Sequence, residues 1–183
     1  MIIKYNEKIL RLMLTSKQLI NLLKEKKYDF IVHEHNPLFT VQDSVDFRGT
    51  IEGAHSKNLF LKNKKKNFYL LSCEENDEFN LKNISKKLNL GNVSFAKKEY
   101  LEQYLGIKPG SVSPFALLND IQNDVVFFLE KTLYEAKFIN FHPLVNTLTI
   151  TMQTQNFIKF MIENNKKIHI FSSKQGMILN TYG

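Results

Sequence analysis

The chain has 183 residues, of which 43% are hydrophobic and 15 are phenylalanine, a composition that predicts one globular domain and excludes a disordered chain. Its formal net charge of +7 favours an acidic partner, nucleic acid being the commonest, although the lysine run at 62–67 is equally well explained as a solvated hairpin turn. No apolar run approaches the roughly 18 residues of a membrane helix and the N-terminal segment lacks the pattern of a signal peptide, so we expect a cytoplasmic protein.

The first half of the chain predicts helices and strands in alternation. A capping box that begins at Thr15 starts an amphipathic helix, and the strand that follows it ends at Pro37. Thr40 is placed to cap a second, short helix. Two apolar strands, Asn58–Lys62 and Phe68–Cys73, then form a hairpin around a polar turn.

The second half predicts two helices, followed later by strands. The first helix is capped by Asn80 and closed by Gly91, and the second is closed by Gly106. Strands are predicted in DVVFFLE, NTLTITM and KIHIF, a last helix runs from Thr154 to about Asn164, and residues 172–183 are expected to be a frayed tail. The pattern predicts one α+β domain over residues 1–183, with helices packed on a mixed sheet.

A shaped loop stands in the segment KPGSVSPFALLND, residues 108–120. Pro109 and Pro114 fix their own φ angles, and Gly110 can adopt backbone angles that are closed to other residues. The three residues between Gly110 and Pro114 could therefore direct backbone N–H groups into a cleft, as an anion-binding or oxyanion-binding turn does. Proline and glycine could equally do no more than punctuate a connection.

The cysteine and histidines give little support to covalent or metal chemistry. Cys73, the one cysteine, ends an apolar run, so we expect a small half-buried thiol and no internal disulfide. His33 and His35 lie on one face of a predicted strand and could begin a metal site, but no third ligand stands at a telling spacing. Phosphate-binding, dinucleotide-binding and nucleophile-elbow motifs are absent from the sequence. We therefore predict neither a metal nor a cofactor.

Four segments together resemble one known family. They are HNPLFTVQDS at 35–44, GAHSKNLFLKNKKKNFYLL at 53–71, LGIKPGSVSPFALLND at 105–120 and FHPLVNTLTI at 141–150. In that order they resemble the YbaK-like aminoacyl-tRNA editing family, which includes the domain inserted in bacterial prolyl-tRNA synthetases. The chain is most similar to the free-standing branch that deacylates alanyl-tRNA(Pro). The resemblance implies a single domain with a mixed, mostly antiparallel sheet flanked by helices.

The resemblance also implies a pocket for the 3′-terminal adenosine and its ester-linked amino acid. Lys57 matches the family's functional lysine, which contacts the phosphate or ribose. The family's GxxxP loop matches residues 110–114, whose N–H groups would steady the oxyanion as water attacks the ester. Catalytic roles are implied for Lys57, Gly110, Ser111, Val112, Pro114 and His142, and substrate contacts for Phe39, Thr40, Asn58, Ser113 and Asn146.

The same residues also have ordinary structural explanations. Lys57 could be a solvated amine, and His142 a strand-end histidine with satisfied hydrogen bonds. Phe39 could pack in the core, and Thr40 could cap a helix. Asn58 and Asn146 could be edge or turn residues.

The function that the resemblance implies is hydrolysis of alanine mischarged on tRNA(Pro). The partners expected are the acceptor end of that tRNA and prolyl-tRNA synthetase, and the protein is expected to be a monomer. Removal of cysteine or serine, and a non-catalytic module that senses aminoacyl-tRNA or a free amino acid, remain alternatives. A general RNA-binding domain would carry aromatic stacking platforms among basic residues, and the sequence shows none.

Overall fold

The computed structural model describes residues 13–37, 51–77 and 80–183. Phe39, Thr40 and the short helix predicted from Thr40 lie outside these ranges. In the described part of the chain, the helices are α1 (Ser16–Glu25), α2 (Leu81–Lys87), α3 (Lys98–Tyr100, continued by a π-helical turn at Leu101–Leu105), a 3-10 helix (Pro114–Asn119), α4 (Lys131–Glu135) and α5 (Thr154–Glu163).

The strands form one mixed sheet. They are β1 (Phe30–Glu34), β2 (Ala54–Asn63), β3 (Phe68–Glu74), β4 (Val93–Phe95), β5 (Val125–Glu130), β6 (Phe138–Phe141), β7 (Leu148–Gln153), β8 (Ile168–Ser172) and β9 (Met177–Tyr182). Their order is β1-β7-β6-β2-β3-β5-β8-β9, with β4 also paired to β2. The pairs β2–β6, β3–β5 and β5–β8 are parallel and the others antiparallel, which confirms the predicted α+β architecture.

Strand β2 joins the two halves of this sheet. One edge of β2 pairs with β3 from Ser56 to Lys62. The other edge pairs with β6 only at Ala54 and His55, and with β4 only from Leu61 to Asn63. Within the described residues, the β2 edge between these two pairings carries no neighbouring strand. This opening in the sheet lies beside Lys57 and Asn58.

The core is divided between the two faces of the sheet. The larger cluster packs under α1, α5 and the 3-10 helix, and Phe115 contacts the rings of Phe141, Phe157 and Phe160 edge-on within it. The smaller cluster lies on the other face, where Ile84 of α2 packs near β2, β3 and β5. Adjacent side chains of β2 point to opposite faces of the sheet, so Phe60 belongs to the larger cluster and Leu61 to the smaller.

Most predicted elements are confirmed. The capping box closes as expected: the Gln18 N–H donates to Thr15 Oγ1 at 3.3 Å, and the Thr15 N–H donates to Gln18 Oε1 at 2.9 Å. The β2–β3 hairpin is present, and both strands are longer than predicted. The short elements β4, β6, α4 and the 3-10 helix were not predicted.

Two expectations, one about the end of helix α2 and one about the C-terminal segment, were wrong. Helix α2 ends at Lys87 rather than at Gly91, because Asn89 adopts a φ of 56° and turns the chain earlier. The segment expected to be a frayed tail instead forms β9, paired with β8. Backbone pairing holds this strand although most of its side chains are exposed, and the Tyr182 hydroxyl lies 2.7 Å from that of Tyr134.

Candidate active site

The strands around the opening in the sheet carry polar side chains on one face. Because side chains alternate along a strand, the face opposite the larger core holds every second residue of β1, β7, β6 and the start of β2. We call it the polar face, after its polar side chains, which include His33, His35, His55, Lys57, Asn140, His142, Thr149 and Thr151. The parallel register pairs His55 with Asn140, so Lys57 and His142 each lie two residues further along neighbouring segments.

Lys57 is half-buried and positioned by main-chain oxygens. Its ammonium group donates to the carbonyl oxygen of Glu75 at 3.2 Å and to that of Asp77. Asp77 Oδ2 lies 3.3 Å from Thr132 Oγ1, so this turn lies beside the start of α4. The ammonium group therefore lies where β3 ends, beside the opening in the sheet.

Cys73 pairs directly with Lys57 across the β2–β3 ladder, but its thiol is buried. Burial raises the pKa of this thiol to about 12, although the nearby Lys57 ammonium acts in the opposite direction. The thiol stays protonated at neutral pH and donates weakly to the Lys57 carbonyl oxygen at 3.8 Å. The interpretation of Cys73 as a packing residue agrees with this geometry.

Asn58 is part of a polar chain between strands. Its Oδ1 accepts from Ser72 Oγ at 2.5 Å, and its Nδ2 donates to Ser56 Oγ at 3.3 Å. Ser56 Oγ donates onward to the Asn140 carbonyl oxygen at 3.1 Å, across the β2–β6 junction. These bonds fix the orientation of the Asn58 amide and leave one of its N–H groups for other contacts.

The loop at 110–114 is shaped as its composition predicts, with one correction. Gly110 adopts a φ of 87°, a region that favours glycine. The Ser111 N–H donates to the Lys108 carbonyl oxygen at 3.1 Å, so the expectation that three N–H groups are available in this loop was wrong. The N–H groups of Val112 and Ser113 have no acceptor among the described residues. Two donors, not three, remain for an incoming oxyanion.

Ser113 and Pro114 anchor the end of this loop in the core. Ser113 is fully buried, and its Oγ caps the 3-10 helix by accepting from the Phe115 N–H at 3.3 Å. Phe115 packs edge-on against Phe141, with ring centroids 6.1 Å apart. Phe141 directly precedes His142, so this contact packs the 3-10 helix that follows the loop against the strand that leads to His142.

His142 is oriented by the chain that follows it. Its Nδ1–H donates to the Leu148 carbonyl oxygen at 2.7 Å, and its ring lies 5.7 Å from that of His35. The Nδ1–H of His35 donates to the Asn36 carbonyl oxygen at 2.9 Å, and its Nε2 forms a hydrogen bond with Thr149 Oγ1 at 3.0 Å. Hydrogen bonds therefore orient both rings.

A second histidine network braces the polar face. Thr151 Oγ1 donates to Asn140 Oδ1, so it accepts from the Nε2–H of His33 at 3.0 Å. Asn140 Nδ2 donates to the carbonyl oxygens of Glu52 at 3.1 Å and Ala54 at 3.2 Å, which fixes the start of β2. Burial lowers the pKa of His33, and the charges of His35 and His55 lower it further.

Asn146 lies in the turn before β7, half-buried, and its side chain makes no hydrogen bond within the described residues. Lys57 and His142 thus lie on the polar face, whereas Asn58 shares the face of Phe60, and the loop at 110–114 leads into the larger core through Phe115. Phe39 and Thr40 cannot be placed, because they lie outside the described residues.

In residues 13–37, 51–77 and 80–183, no group of three or more His, Cys, Asp or Glu side chains could hold a metal ion. No helix in those ranges is long and apolar enough to cross a membrane.

The sequence analysis missed the polar residues that support this site. Ser72, Asn140, Thr149 and Thr151 are all at least nine-tenths buried, and each makes a hydrogen bond described above. Their signal was present in the sequence, because polar residues at alternate positions interrupt the apolar strands FINF and NTLTITM. Such alternation normally indicates a solvated face, so it did not point to a buried network.

Comparisons with known proteins agree on one family. The aminoacyl-tRNA editing domain matches residues 35–160. Prolyl-tRNA synthetase associated domain-containing protein 1 of Xenopus laevis is 36% identical over 150 residues, which cover 79% of this chain and 89% of that protein. The prolyl-tRNA editing protein ProX of Acetoanaerobium sticklandii is 29% identical over 143 residues, 78% of this chain and 87% of ProX.

One solved structure, described as that of a candidate trans-editing enzyme for prolyl tRNA synthetase, superposes with a TM-score of 0.62. The superposition covers 84% of this chain and 93% of that one at 14% sequence identity, and it shows a shared fold.

Proposed function

Because this chain belongs to the YbaK-like aminoacyl-tRNA editing domain family, we propose that it hydrolyses the ester of alanine mischarged on tRNA(Pro), releasing alanine and tRNA(Pro). One observation carries the proposal: the family match at 35–160 includes the start of β2, the loop at 110–114 and the end of β6. Those segments carry most of the residues that we propose to act on the substrate.

The reaction needs no protein nucleophile. The oxygen of a water molecule attacks the ester carbonyl carbon, the bond to the ribose oxygen breaks, and the ribose oxygen takes up a proton. Negative charge develops on the carbonyl oxygen, where the Val112 and Ser113 N–H groups would stabilise it. Gly110 and Pro114 would hold these donors in place, with Ser111 closing the turn. The ribose hydroxyl beside the ester is proposed to help position the water.

The other residues would hold the substrate. The Lys57 ammonium would contact the phosphate or ribose of the terminal adenosine, for which a compact charge is suited. His142, whose ring is held by its hydrogen bond to Leu148, would contact the substrate at the reacting centre. Asn58, Asn146, Phe39 and Thr40 would line the space around the amino acid.

Such a reaction is useful because it can distinguish alanine from proline by the size of the side chain. An active site shaped for proline cannot strongly exclude alanine, since one missing methylene is worth only about 1–3 kcal/mol. A second site that admits alanine and excludes proline would correct the error. Only the small side chain would then be removed from the tRNA.

The test is release of labelled amino acid from tRNA(Pro) charged separately with alanine, cysteine, serine and proline. We expect fast release of alanine alone by the wild-type protein and by Lys17→Ala, whose exposed side chain lies on α1, and none by Lys57→Ala. Thermal unfolding of each variant separates loss of function from loss of structure. Release of cysteine or serine instead would change the assigned substrate. No release from any of the four, with tRNA still bound, would replace the enzyme with a binding module.

A further inference from the structure

The lysines of this chain are concentrated in two segments. Residues 62–67 and 82–98 contain nine lysines and no acidic residue, whereas the formal net charge of the whole chain is +7. The remainder of the chain is therefore net acidic. The basic character of the protein belongs to one region rather than to its general surface.

The fold brings these two segments together. Strand β4 lies beside the end of β2, with Asn63 paired to Val93. The Asn63 amide donates to the Leu90 carbonyl oxygen at 3.0 Å, which fixes the β2–β3 turn against the chain that follows α2. We call this region the lysine end, and it consists of Lys62, Lys64, Lys65, Lys66, Lys86, Lys87, Lys97 and Lys98, of which all but the half-buried Lys62 are exposed.

An exposed aromatic ring stands within the lysine end. Phe95, the last residue of β4, is 63% exposed, and Lys97 and Lys98 follow it closely. Lys62 reaches over the neighbouring Tyr100, with its ammonium 5.8 Å from the ring centroid. An aromatic ring among lysines was not recognised in the sequence. The exposure of Phe95 depends on where β4 lies in the fold, and the sequence alone does not show this.

Phe95 and the lysine turn lie in line with the candidate active site. Paired residues of neighbouring strands project to the same face, so Phe95, paired with Leu61, shares the face of Lys57. At about 3.3 Å per residue, Leu61 lies about 13 Å from Lys57 along β2, and Lys64 about 23 Å from it. The order from the site outward is therefore Lys57, then Phe95, then the lysine turn.

We propose that the lysine end and Phe95 form the docking surface for the acceptor arm of the RNA substrate. With the terminal adenosine at Lys57, the unpaired 3′ nucleotides follow the edge of β2 that has no neighbouring strand among the described residues, one base stacks on Phe95, and the lysines contact the phosphates of the stem. This inference rests on the proposed function for its choice of RNA. An acidic protein segment would also be attracted to the lysines, but it would leave unexplained the aromatic ring placed between them and the active site.

The first experiment measures binding of uncharged tRNA(Pro) as a function of salt. Lys64→Glu with Lys65→Glu reverses two exposed charges in the turn, and Lys17→Glu with Lys24→Glu makes the same change of net charge on α1. We expect the turn variant to bind at least about tenfold more weakly, with a salt dependence reduced by about two ion equivalents, and the α1 variant to bind like the wild type. The proposal would be overturned if the turn variant bound tRNA(Pro) as tightly as the wild type does, or if the turn variant and the α1 variant were weakened equally.

The second experiment tests Phe95 with two RNAs, tRNA(Pro) and a blunt acceptor-stem hairpin without the unpaired 3′ nucleotides. Phe95→Ala should weaken tRNA(Pro) binding by several-fold and leave binding of the blunt hairpin unchanged. Ile121→Ala, which removes another exposed apolar side chain, is the matched control. Unchanged binding of tRNA(Pro) by Phe95→Ala would refute the stacking role.

A third measurement separates this inference from the proposed function. Adenosine esterified with alanine carries the reacting bond but no stem, so the turn variant should hydrolyse it as fast as the wild type does. Both binding experiments use uncharged RNA, and their outcomes are decided even if the protein hydrolyses neither substrate. Slower hydrolysis of alanyl-adenosine by the turn variant would mean that the lysine turn supports the active site itself, against the proposal.

Discussion

The Nδ1–H of His142 donates a hydrogen bond to the carbonyl oxygen of Leu148 at 2.7 Å. This bond crosses the turn between β6 and β7, so it serves both the structure of the turn and the orientation of the ring. Because a carbonyl oxygen only accepts, Nδ1 is the donor in this bond, and Nε2 takes no part in it. The bond to Leu148 can therefore be tested separately from the rest of the ring.

His142→Asn should separate the two roles of this histidine. An asparagine amide can still donate to Leu148, whereas His142→Ala removes that donor together with the ring. We expect the free energy of unfolding to fall by about 1 kcal/mol in the alanine variant and to change little in the asparagine variant. Hydrolysis of alanyl-tRNA(Pro) should fall at least about tenfold in both. Wild-type kcat/KM in His142→Asn would show that the histidine serves the turn alone.

Asn140→Ala should be among the most destabilising substitutions near the site. Asn140 is 3% exposed and holds the carbonyl oxygens of Glu52 and Ala54 together with the hydroxyl of Thr151. Removing the amide takes three hydrogen bonds from this network and leaves a small cavity, and we expect a loss of about 1–3 kcal/mol in denaturant unfolding. Asn83→Ala, at an exposed position of α2, should cost far less. Equal losses would contradict a structural role for this network.

Glu130 should make stability depend on pH in the acidic range. Its carboxylate accepts from the backbone N–H groups of Thr132 at 2.5 Å and Ser173 at 3.1 Å. Burial alone would raise its pKa, but these and the accompanying hydroxyl hydrogen bonds outweigh burial, so the pKa lies below the ordinary value. The ionised form therefore stabilises the fold above the unfolded-state pKa of about 4.3, and this contribution is lost as pH falls through the lower folded pKa.

Glu130→Gln tests this pH dependence, since it keeps the size of the side chain and removes the charge. The free energy of unfolding of the variant should be lower than that of the wild type at pH 7, and the difference should shrink as the pH falls below about 4.3. Glu135→Gln, in the exposed pair with Lys131, is the control and should show little difference at either pH. A gap between wild type and Glu130→Gln that stays constant down to pH 3 would contradict the assignment.

The fold could be predicted from the sequence wherever one local signal decided it. The Thr15 capping box and the apolar alternation of the β2–β3 hairpin each specify their element without help from distant residues. Strand β9 lacks such a signal. It is held by backbone pairing with β8 and by Tyr182 against Tyr134, and both depend on residues far away in the chain.

The candidate site likewise has features that could be predicted from local sequence and features that could not. The loop at 110–114 could be recognised because proline restricts the backbone and glycine admits angles that are closed to other residues, such as the φ of 87° at Gly110. The hydrogen bond from the Ser111 N–H to the Lys108 carbonyl oxygen could not be predicted, because it depends on how tightly the turn closes. The support that Asn140 and Ser72 give to the site depends on strand order, and pairing of β2 with β6 brings together residues some 85 positions apart. Composition alone does not report such contacts.

Gly110→Ala should impair hydrolysis through the backbone. The φ of 87° at Gly110 costs a residue with a Cβ atom about 1–2 kcal/mol, and relief of that strain would move the Val112 and Ser113 N–H groups. Gly91→Ala is a matched control, because Gly91 has a φ of 77° and its added Cβ would meet only one neighbouring atom, 3.9 Å away. Both variants should lose similar stability in thermal unfolding. Only Gly110→Ala should slow hydrolysis of alanyl-adenosine, by at least about tenfold if two oxyanion donors are displaced. Equal hydrolysis by the two variants would mean that the loop does not contact the reacting carbonyl.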